Sequence, residues 1–416
     1  MRAGLGQHEQ TRRAEPGPIS VLIQERRQGQ VFELRPGMSI LGRHKQADLV
    51  LAGERISRKH LELTVSGDGL LTVRNLSPKG TWLNGVQLES DKKRATAGDI
   101  LLLGKNRKLV VLGLLDPRAT VWTGDQLTVP QRLSDRYLVL RKIGEGAMGM
   151  VYESWDQEGK RRCAIKILTA AGAAHGELVA RFRREVELQQ SLGRYPGIVS
   201  ILDVGTLPVT SELFAVMEFV KGTSLWSRLR QGIKRSEGVR LVARVARSVH
   251  YAHEHGLVHR DLKPENVMVS SDGEVRLTDF GLAKGLEEDD GLTATGQLLG
   301  TPHFMAPEQI DDSKHVGPAA DTYALGVILY EVLTGRLPFQ GEDMRKVLEL
   351  VLQGDPTPPR QVDSTVPEEL EAACLRALRQ DPADRHPSAV ALAKELEAWI
   401  REVDPPAPVR LEPPGG

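Results

Sequence analysis

Two short polar segments in the second half of this 416-residue chain restrict its fold more than any other feature. Residues 259–266 are His-Arg-Asp-Leu-Lys-Pro-Glu-Asn, and residues 279–281 are Asp-Phe-Gly. Together they offer carboxylates, cations and a side-chain amide, which can orient a hydroxyl, neutralise a phosphoryl group and bind Mg²⁺. Such chemistry needs positioning and charge neutralisation more than covalent catalysis. The two segments therefore predict a site for phosphoryl transfer.

Each residue type in these segments indicates a role. Asp261 is expected to orient a substrate hydroxyl and accept its proton. Lys263 is expected to neutralise charge on the transferring phosphoryl group. The Asn266 amide and the Asp279 carboxylate present oxygen ligands, which Mg²⁺ prefers, and are the predicted metal ligands.

A glycine-rich segment lies upstream, where residues 144–151 are Gly-Glu-Gly-Ala-Met-Gly-Met-Val. Glycines allow backbone N–H groups to approach phosphate oxygens without a Cβ in the way. Lys166 then ends a strand-like run, and a lysine in such a strand is costly to bury unless it meets an anion. The phosphates of ATP and the carboxylate of Glu185, in the helical run 180–192, are its expected partners.

Residues 135–403, which contain these motifs, resemble a protein kinase domain of the bacterial eukaryotic-like serine/threonine type. The Lys-Pro-Glu at 263–265 is similar to the Ser/Thr branch of the family. The resemblance implies transfer of the γ-phosphoryl group of ATP, with Mg²⁺ or alternatively Mn²⁺, to Ser and Thr hydroxyls of proteins. It also implies a non-specific serine/threonine protein kinase that phosphorylates itself. Two copies would then form a transient homodimer in which one copy phosphorylates the other.

The resemblance also assigns residues to the site. Thr301 would help to position Asp261 and Lys263. Arg385 would pair with Glu308, and Asp321 would brace the segment 259–266, the catalytic loop. Glu185 joins Lys166 in the catalytic set. The implied nucleotide-binding residues are Ile143, Gly144, Glu145, Gly146, Ala147, Met148, Gly149, Val151, Ala164, Lys166, Met217, Glu218, Val220 and Met268.

Phosphorylation of Thr293 and Thr295 is expected to switch activity. Both lie in the polar stretch 287–297, before the segment 300–308 that resembles the end of an activation loop. Arg260 supplies a cation with which a phosphate could pair, and this pairing would order the loop. The alternative is a loop that is ordered without modification.

Residues 19–112 contain short apolar runs separated by turn sequences, a spacing that is typical of a β-sandwich. Leu-Gly-Arg at 41–43, Ser-Arg-Lys-His at 57–60 and the segment 75–85 resemble a forkhead-associated (FHA) domain, a β-sandwich that binds phosphothreonine peptides through its loops. The expected strands are Ile19–Gln24, Val31–Leu34, Leu61–Val65, Leu70–Val73, Thr81–Leu83, Ile100–Leu103 and Leu109–Leu112.

The expected phosphopeptide-binding residues of this module are Arg43, Ser57, Arg58 and Lys79. Arg43 offers a planar fork for phosphate oxygens, Ser57 a hydroxyl donor and Arg58 further charge. His60 is expected to fix a loop. Lys79 stands where the family usually has an asparagine that grips the peptide backbone. Because an ammonium group cannot accept a hydrogen bond, the peptide selectivity is expected to differ from that of the family.

Composition limits the remaining classes. Residues 1–115 hold 19 Lys and Arg against 11 Asp and Glu, which is consistent with an anionic ligand such as a phosphorylated protein. No DNA-binding motif supports nucleic acid as the partner. No apolar run is long enough for a membrane span or a signal peptide, and the two cysteines lie far apart. The chain is therefore expected to be cytoplasmic and independent of membranes and nucleic acids.

The predicted fold class is multidomain α+β. A sandwich at 17–115 precedes a linker at 116–134, a bilobal kinase fold at 135–403 and a disordered Pro-rich tail at 404–416. The competing function is a kinase-shaped scaffold without activity, disfavoured because Lys166, Asp261, Asn266 and Asp279 are all present. Cys163 is expected to be a small apolar core residue, and a reactive thiol is the alternative.

Overall fold

The computed structural model describes residues 19–27, 29–115, 122–123, 126–127, 130–146, 149–168, 186–207, 213–280, 302–311 and 316–404. These residues form two compact units. The first unit extends to Glu145 and includes Met150–Ile165. The second contains Gly146–Gly149 and the chain from Lys166 onward.

The first unit begins with two mainly antiparallel sheets that enclose an apolar core. One sheet has the order β2-β1-β11-β10-β7-β8 and the other β4-β3-β5-β6-β9. The strands are β1 Ser20–Glu25, β2 Val31–Leu34, β3 Gly37–Gly42, β4 Leu49–Val50, β5 Leu61–Val65, β6 Leu71–Asn75, β7 Thr81–Leu83, β8 Val86–Gln87, β9 Lys93–Ala95, β10 Ile100–Leu103 and β11 Arg107–Leu115.

Alternation along each strand explains this core. In β5, for example, Leu61, Leu63 and Val65 face the interior and are buried. All the strands predicted in this region are present, with ends shifted by a few residues. The unpredicted strands β3, β4, β8 and β9 are short or, in the case of β3, exposed over their first half, so they carry little apolar periodicity.

More strands follow the sandwich in the first unit. Within the segment 116–134, β12 Trp122–Thr123 pairs with β13 Gln126–Leu127. At its end β14 Gln131–Arg132 pairs with β15 Tyr137–Gly146. The segment expected to be an irregular linker therefore contains short strands, and its residues 131–132 belong to a sheet. Two-residue strands have no detectable alternation, which is why the pattern did not indicate them. β16 Gly149–Asp156 and β17 Arg161–Leu168 complete the series.

Gly149 allows β16 to approach β17 closely. A Cβ atom at this position would lie 2.0 Å from the carbonyl oxygen of Ile167. Any side chain would therefore push the two backbones apart. The last glycine of the glycine-rich segment is thus required by strand packing as well as by its expected approach to phosphate.

The second unit is mainly helical, and its helices surround a large apolar core. A hairpin of β18 Ile201–Thr206 and β19 Leu213–Glu218 precedes the sheet β20-β21-β22. Residues 186–191 are helical. The remaining elements are β20 Gly222–Ser224, β21 Val267–Ser270, β22 Val275–Leu277, α1 Leu225–Gln231, α2 Arg235–Glu254, α3 Pro307–Asp311, α4 Pro318–Thr334, α5 Met344–Gln353, α6 Pro359–Val362, α7 Glu368–Ala377 and α8 Ala389–Val403.

Helix α4 lies at the centre of this core. All its residues from Ala320 to Tyr330 are buried, as its nearly continuous apolar sequence predicts. It ends at Gly335, whose left-handed backbone accommodates the C-cap. α2 and α8 are amphipathic and also contribute to this core. Of the predicted tail, residues 405–416 lie outside the described residues.

No described helix is both long enough and apolar enough to cross a bilayer.

Both cysteines are predicted to be unreactive in the folded protein. Cys163 and Cys374 are free and have no exposed surface. Burial raises the pKa of Cys163 to about 12 and raises that of Cys374 as well. At mildly alkaline pH we therefore expect no reaction with Ellman's reagent until guanidinium chloride unfolds the protein, when two thiols react. Rapid native labelling of Cys163 would instead identify an accessible thiol at β17.

Candidate active site

The residues 259–266 form a compact polar cluster in the second unit. The Lys263 Nζ atom donates to the Asp261 Oδ2 atom at 2.9 Å. The Asn266 side-chain amide donates to the Asp261 main-chain oxygen at 2.8 Å and to Asp261 Oδ2 at 3.1 Å. A 3₁₀ turn at Pro264–Asn266 brings Asn266 back toward the carboxylate. The structure thus brings together three residues predicted for the site.

A buried carboxylate on α4 fixes the backbone of this loop. The Asp321 side chain accepts hydrogen bonds from the main-chain nitrogens of His259 at 2.8 Å and Arg260 at 2.9 Å. It also bonds with the His253 Nε2 atom at 2.7 Å. Burial alone would raise the pKa of Asp321, but these hydrogen bonds and the nearby histidines outweigh burial and hold that pKa below its usual value. Asp321 therefore acts as the predicted brace.

Two non-glycine residues of the site have left-handed backbones. Arg260 has φ of 62° and Asp279 has φ of 57°. This conformation is uncommon for residues with a Cβ and persists where the surroundings determine it. Arg260 is held by Asp321 and by Gln309, whose side chain donates to its carbonyl oxygen at 3.0 Å. The ring of His259 packs against Phe280, with centroids 4.6 Å apart.

Lys166 forms an ion pair with Asp279. Lys166 is 9% exposed, so this anion compensates for the burial of its charge. The backbone nitrogen of Thr278 donates to the Asn266 carbonyl at 2.9 Å, which places the two predicted metal ligands side by side. Sequence reasoning had expected phosphates and Glu185 as the partners of Lys166. Glu185 lies outside the described residues.

The chemistry of these ligands fits a hard divalent cation. The Asn266 amide nitrogen is engaged with Asp261, which orients the amide oxygen away from that residue. Asp279 supplies carboxylate oxygens. Within the described residues no cluster of three or more His, Cys, Asp or Glu could hold a metal alone. A site with two protein oxygen donors suits Mg²⁺, which normally keeps water and substrate phosphates among its ligands.

A second ion pair lies near the end of the segment 302–311. The Arg385 guanidinium is almost completely buried and binds the Glu308 carboxylate through two hydrogen bonds of 2.7 and 2.8 Å. It also donates to the main-chain oxygens of Arg379, Ala319 and Gln380. Bidentate pairing with satisfied remaining donors is the geometry in which a buried arginine is stable.

The predicted nucleotide-binding residues are distributed over both units. In the first unit β15 carries Ile143, Gly144 and Glu145, while β16 carries Val151 and β17 the buried Ala164. In the second unit, the Glu218 nitrogen donates to the Ser200 oxygen at 2.9 Å. The other described members there are Gly146, Gly149, Lys166, Met217, Val220 and Met268. Ala147, Met148, Thr301, Thr293 and Thr295 lie outside the described residues.

The loops of the sandwich form a second candidate site. The Arg43 nitrogen donates to the Ser57 oxygen at 2.9 Å, which places the 43–44 and 57–58 segments side by side. Gly42 permits this contact, since a Cβ there would lie 2.0 Å from the Arg58 carbonyl oxygen. The side chains of Arg43 and Arg58 are exposed, and that of Ser57 is half-buried.

Sequence reasoning missed a hydrogen-bonded network behind these residues. Ser77 Oγ lies 2.6 Å from Ser57 Oγ and accepts from the Lys79 nitrogen at 3.1 Å. Asn75 exchanges two bonds with the Ser77 backbone and accepts from Thr81 Oγ1 at 2.9 Å. The Asn-X-Ser spacing at 75–77 is a turn signal that indicates such a network.

Lys79 and His60 connect the neighbouring loops. The Lys79 Nζ atom donates to the carbonyl oxygen of Glu54. His60 accepts from the Ser57 nitrogen at 3.0 Å, and its Nε2 atom lies 3.2 Å from the Gly80 oxygen. Burial lowers the pKa of His60, which favours the neutral ring that this pattern requires. His60 therefore fixes the loop, as predicted.

Comparison with protein families identifies the larger part of the chain. A model of the protein kinase domain matches residues 137–396. The chain belongs to the protein kinase family. A model of the FHA domain matches residues 39–104.

The kinase domain is similar to bacterial serine/threonine-protein kinases. It is 37% identical over 256 residues to the probable kinase PknB of Lactococcus lactis, covering 61% of this chain and 40% of that protein. PrkC of Bacillus subtilis is 34% identical over 277 residues, covering 66% and 41% respectively. The chain thus spans only about two fifths of the length of these relatives.

Solved structures agree with this fold. The kinase domain of PknI from Mycobacterium tuberculosis matches with a TM-score of 0.53 and 27% identity, covering 66% of this chain and 99% of that one. Rad53 residues 1–466 match with a TM-score of 0.55 over 92% of this chain and all of that one. At 23% identity the second match shows the fold alone.

Replacing the brace of the catalytic loop should destabilise the kinase domain. Asp321→Asn would direct an amide donor toward backbone N–H groups, and we expect the free energy of unfolding to fall by about 1–3 kcal/mol at neutral pH. The pKa of Asp321 in the folded protein is lowered from its ordinary value of 3.8. Its carboxylate therefore stabilises the folded protein above pH 3.8, and this contribution is lost as the pH falls through the folded-state pKa. The variant should therefore differ least from wild type in acid.

Urea unfolding at several pH values, followed by the helical circular dichroism signal, measures this difference. Asp355→Asn, at an exposed position, is the matched control and should unfold like wild type. Equal stability of Asp321→Asn and Asp355→Asn at neutral pH would contradict the role given to Asp321.

Proposed function

We propose that the chain is a Mg-ATP-dependent serine/threonine protein kinase whose FHA domain recruits phosphothreonine-containing partners. The observation that carries this proposal is the Asp261 carboxylate, held by Lys263 and Asn266 on a loop that the buried Asp321 fixes. The names of the relatives, all serine/threonine-protein kinases, support the choice of Ser and Thr as acceptors.

The geometry supports a simple division of work. Asp261 orients the acceptor hydroxyl and takes its proton as the oxygen attacks the γ-phosphorus, while the bond from that phosphorus to the bridging oxygen breaks and ADP leaves. Lys263, 2.9 Å from that carboxylate, neutralises negative charge on the phosphoryl oxygens. Asp321 and Gln309 hold the left-handed backbone of Arg260, so contacts within the protein position the adjacent Asp261.

Lys166 and Asp279 prepare the ATP side of the site. Asp279 and Asn266 would hold Mg²⁺, which neutralises phosphate charge when bound. Lys166 now pairs with Asp279, so the lysine can exchange this carboxylate for phosphate oxygens when nucleotide enters. The glycine-rich segment 144–151 supplies backbone N–H groups to the phosphates.

Self-phosphorylation is part of the proposal. Thr293 and Thr295 are the expected acceptors, and one copy modifies another in a transient homodimer. No carboxylate among the described residues pairs with the Arg260 side chain, which is consistent with its binding a phosphothreonine. We place this activity in the cytoplasm, because two buried free cysteines suit a reducing compartment.

The FHA loops fit a phosphate group for a physical reason. Ser77 Oγ already accepts from the Lys79 nitrogen, so its own proton can go to Ser57 Oγ. The Ser57 proton is then available for a phosphate oxygen. Arg43 and Arg58 are exposed beside it and supply charge-assisted donors. Lys79 binds the Glu54 carbonyl and adds a third cation.

A scaffold without catalytic activity is the second candidate. Its basis is the FHA domain, which would bind partners whether or not the kinase domain transfers phosphate. The intact pairing of Asp261, Lys263 and Asn266, with Lys166 on Asp279, disfavours it, because binding alone requires none of these contacts.

Removing the proposed base should abolish activity without unfolding the protein. We expect Asp261→Asn and Lys166→Met each to lower phosphoryl transfer by at least about a hundredfold. The measurement is transfer from radiolabelled ATP to a generic Ser/Thr substrate, with mass spectrometry of Thr293 and Thr295. The matched control is Asp272→Asn in the exposed turn after β21, which should keep wild-type activity.

Near wild-type activity of a folded Asp261→Asn protein would overturn the kinase proposal. A wild-type protein that binds Mg-ATP but transfers no phosphate would favour the scaffold. Active protein without phosphate on either threonine would contradict their proposed role while leaving the kinase function intact.

Loss of the FHA arginine should weaken phosphothreonine binding. The full chain carrying Asp261→Asn, which prevents prior self-phosphorylation, is titrated with peptides spanning 287–299 that carry phosphothreonine, phosphoserine or unmodified threonine. Losing one charged hydrogen-bonded pair costs roughly 1.5–3 kcal/mol, so Arg43→Ala should weaken the phosphothreonine peptide about 10- to 150-fold. Arg35→Ala is the control, because Arg35 is exposed and lies between β2 and β3, apart in sequence from the proposed phosphopeptide-binding residues.

Equal affinity of the Arg43→Ala and Arg35→Ala proteins for the phosphothreonine peptide would contradict this role. Binding that does not depend on the phosphate would show that the FHA loops recognise another feature of the peptide.

A further inference from the structure

We propose that the FHA domain is a positioning element of the nucleotide site, because its outer sheet face clamps the strands on either side of the glycine-rich segment. The inference rests on the proposed use of ATP and concerns a surface distinct from the phosphopeptide loops. It gives the FHA domain a second role that does not require a phosphorylated partner.

Strand β1 is buried on both of its faces. Val21 and Ile23 point into the core of the sandwich, whereas Leu22, between them, belongs to a different apolar cluster. Leu22 has no exposed surface. The outward position of a sandwich strand normally meets solvent, so another element must cover it. Val31 and Leu112, on the two neighbouring strands, lie in the same cluster.

The covering residues come from the kinase domain. Leu138 and Leu140 of β15 and Trp155 of β16 complete the cluster, together with Leu115 at the end of β11. All three kinase residues are at most 5% exposed. The division of the chain into compact units agrees, since the sandwich, most of β15 and the body of β16 lie in one unit.

Polar contacts fix the register of this interface. Arg132 of β14 forms an ion pair of 2.6 Å with Glu33 of β2, whose other oxygen accepts from Ser20 Oγ at 3.0 Å. Nearby, the turn after β1 lies against Arg162 of β17, because a Cβ on Gly29 would be 2.3 Å from its Nε atom. Arg162 in turn binds the buried Glu153 of β16 at 3.1 Å.

The clamped strands are those that carry the glycine-rich segment. β15 ends at Gly146 and β16 begins at Gly149. Clamping both strands restrains the strand ends at Gly146 and Gly149, which carry part of the proposed phosphate-binding backbone. Binding sites depend on such supporting contacts, since a displacement of about 1 Å in a positioning element can reduce rates about a hundredfold. Asp261 and its partners belong to the second unit, whereas all members of this cluster belong to the first.

The experiment separates nucleotide positioning from general stability. Leu22→Ala in the full chain should raise the KM for ATP roughly tenfold and weaken Mg-AMP-PNP binding in calorimetry by a similar factor. The kcat at saturating ATP should stay within about twofold of wild type. Simple destabilisation would instead lower the amount of active protein, and so kcat, without changing KM. Leu114→Ala, an exposed leucine of the same sheet, is the matched control.

A second set of variants covers the possibility that Leu22→Ala fails to fold. Glu33→Arg and Arg132→Glu should each raise the KM for ATP about three- to fivefold, as expected for loss of a partly exposed ion pair, and the double variant should restore it.

Unchanged KM and AMP-PNP affinity in the folded single variants, with active wild-type protein, would overturn the inference. So would a fall in kcat alone. An inactive wild-type protein would instead refute the proposed function, and AMP-PNP calorimetry would still test the clamp.

Discussion

The arrangement of the segment 259–266 depends on the hydrogen bonds that the Asp321 carboxylate accepts from its backbone. This carboxylate is buried on the central helix α4 and binds two successive backbone nitrogens of the catalytic loop. This contact connects the apolar core directly to the strained residue beside Asp261. A charge in that position is stable only because every oxygen has a donor. The loop that carries the proposed catalytic groups is therefore fixed to the core at this point.

The sequence predicted which residues of the segment 259–266 lie together, because the motif is local. Asp261, Lys263 and Asn266 are separated by few residues, so one turn brings them together. The pairing of Lys166 with Asp279 was not foreseen, since it depends on which anions are present in the folded site. The strands within 116–134 were also missed, because strands of two residues are defined by their neighbours and carry no periodicity of their own.

The FHA loops show how a changed residue can be accommodated. Lys79 occupies a position where the family usually has an amide, and here its side chain binds the carbonyl of Glu54. Asn75 and Ser77 instead stabilise the loop, because Asn75 accepts from the Ser77 backbone and the Ser77 hydroxyl bonds to Ser57. The groups proposed to bind phosphate thus keep their support, while Lys79 adds positive charge beside them. Selectivity is therefore expected to differ from that of a loop with asparagine at this position.

The buried Leu22 also bears on how such a chain can evolve. A domain joined to its neighbour only by a flexible linker can be lost, duplicated or exchanged without harm to either partner. Here the outer face of the sandwich and two strands of the kinase domain share one apolar cluster, so removing either partner would expose leucines and a tryptophan to water. Substitutions on the two sides are consequently coupled. We expect Leu22, Leu138 and Trp155 to vary together among descendants of this chain, and recombination within residues 116–134 to be selected against.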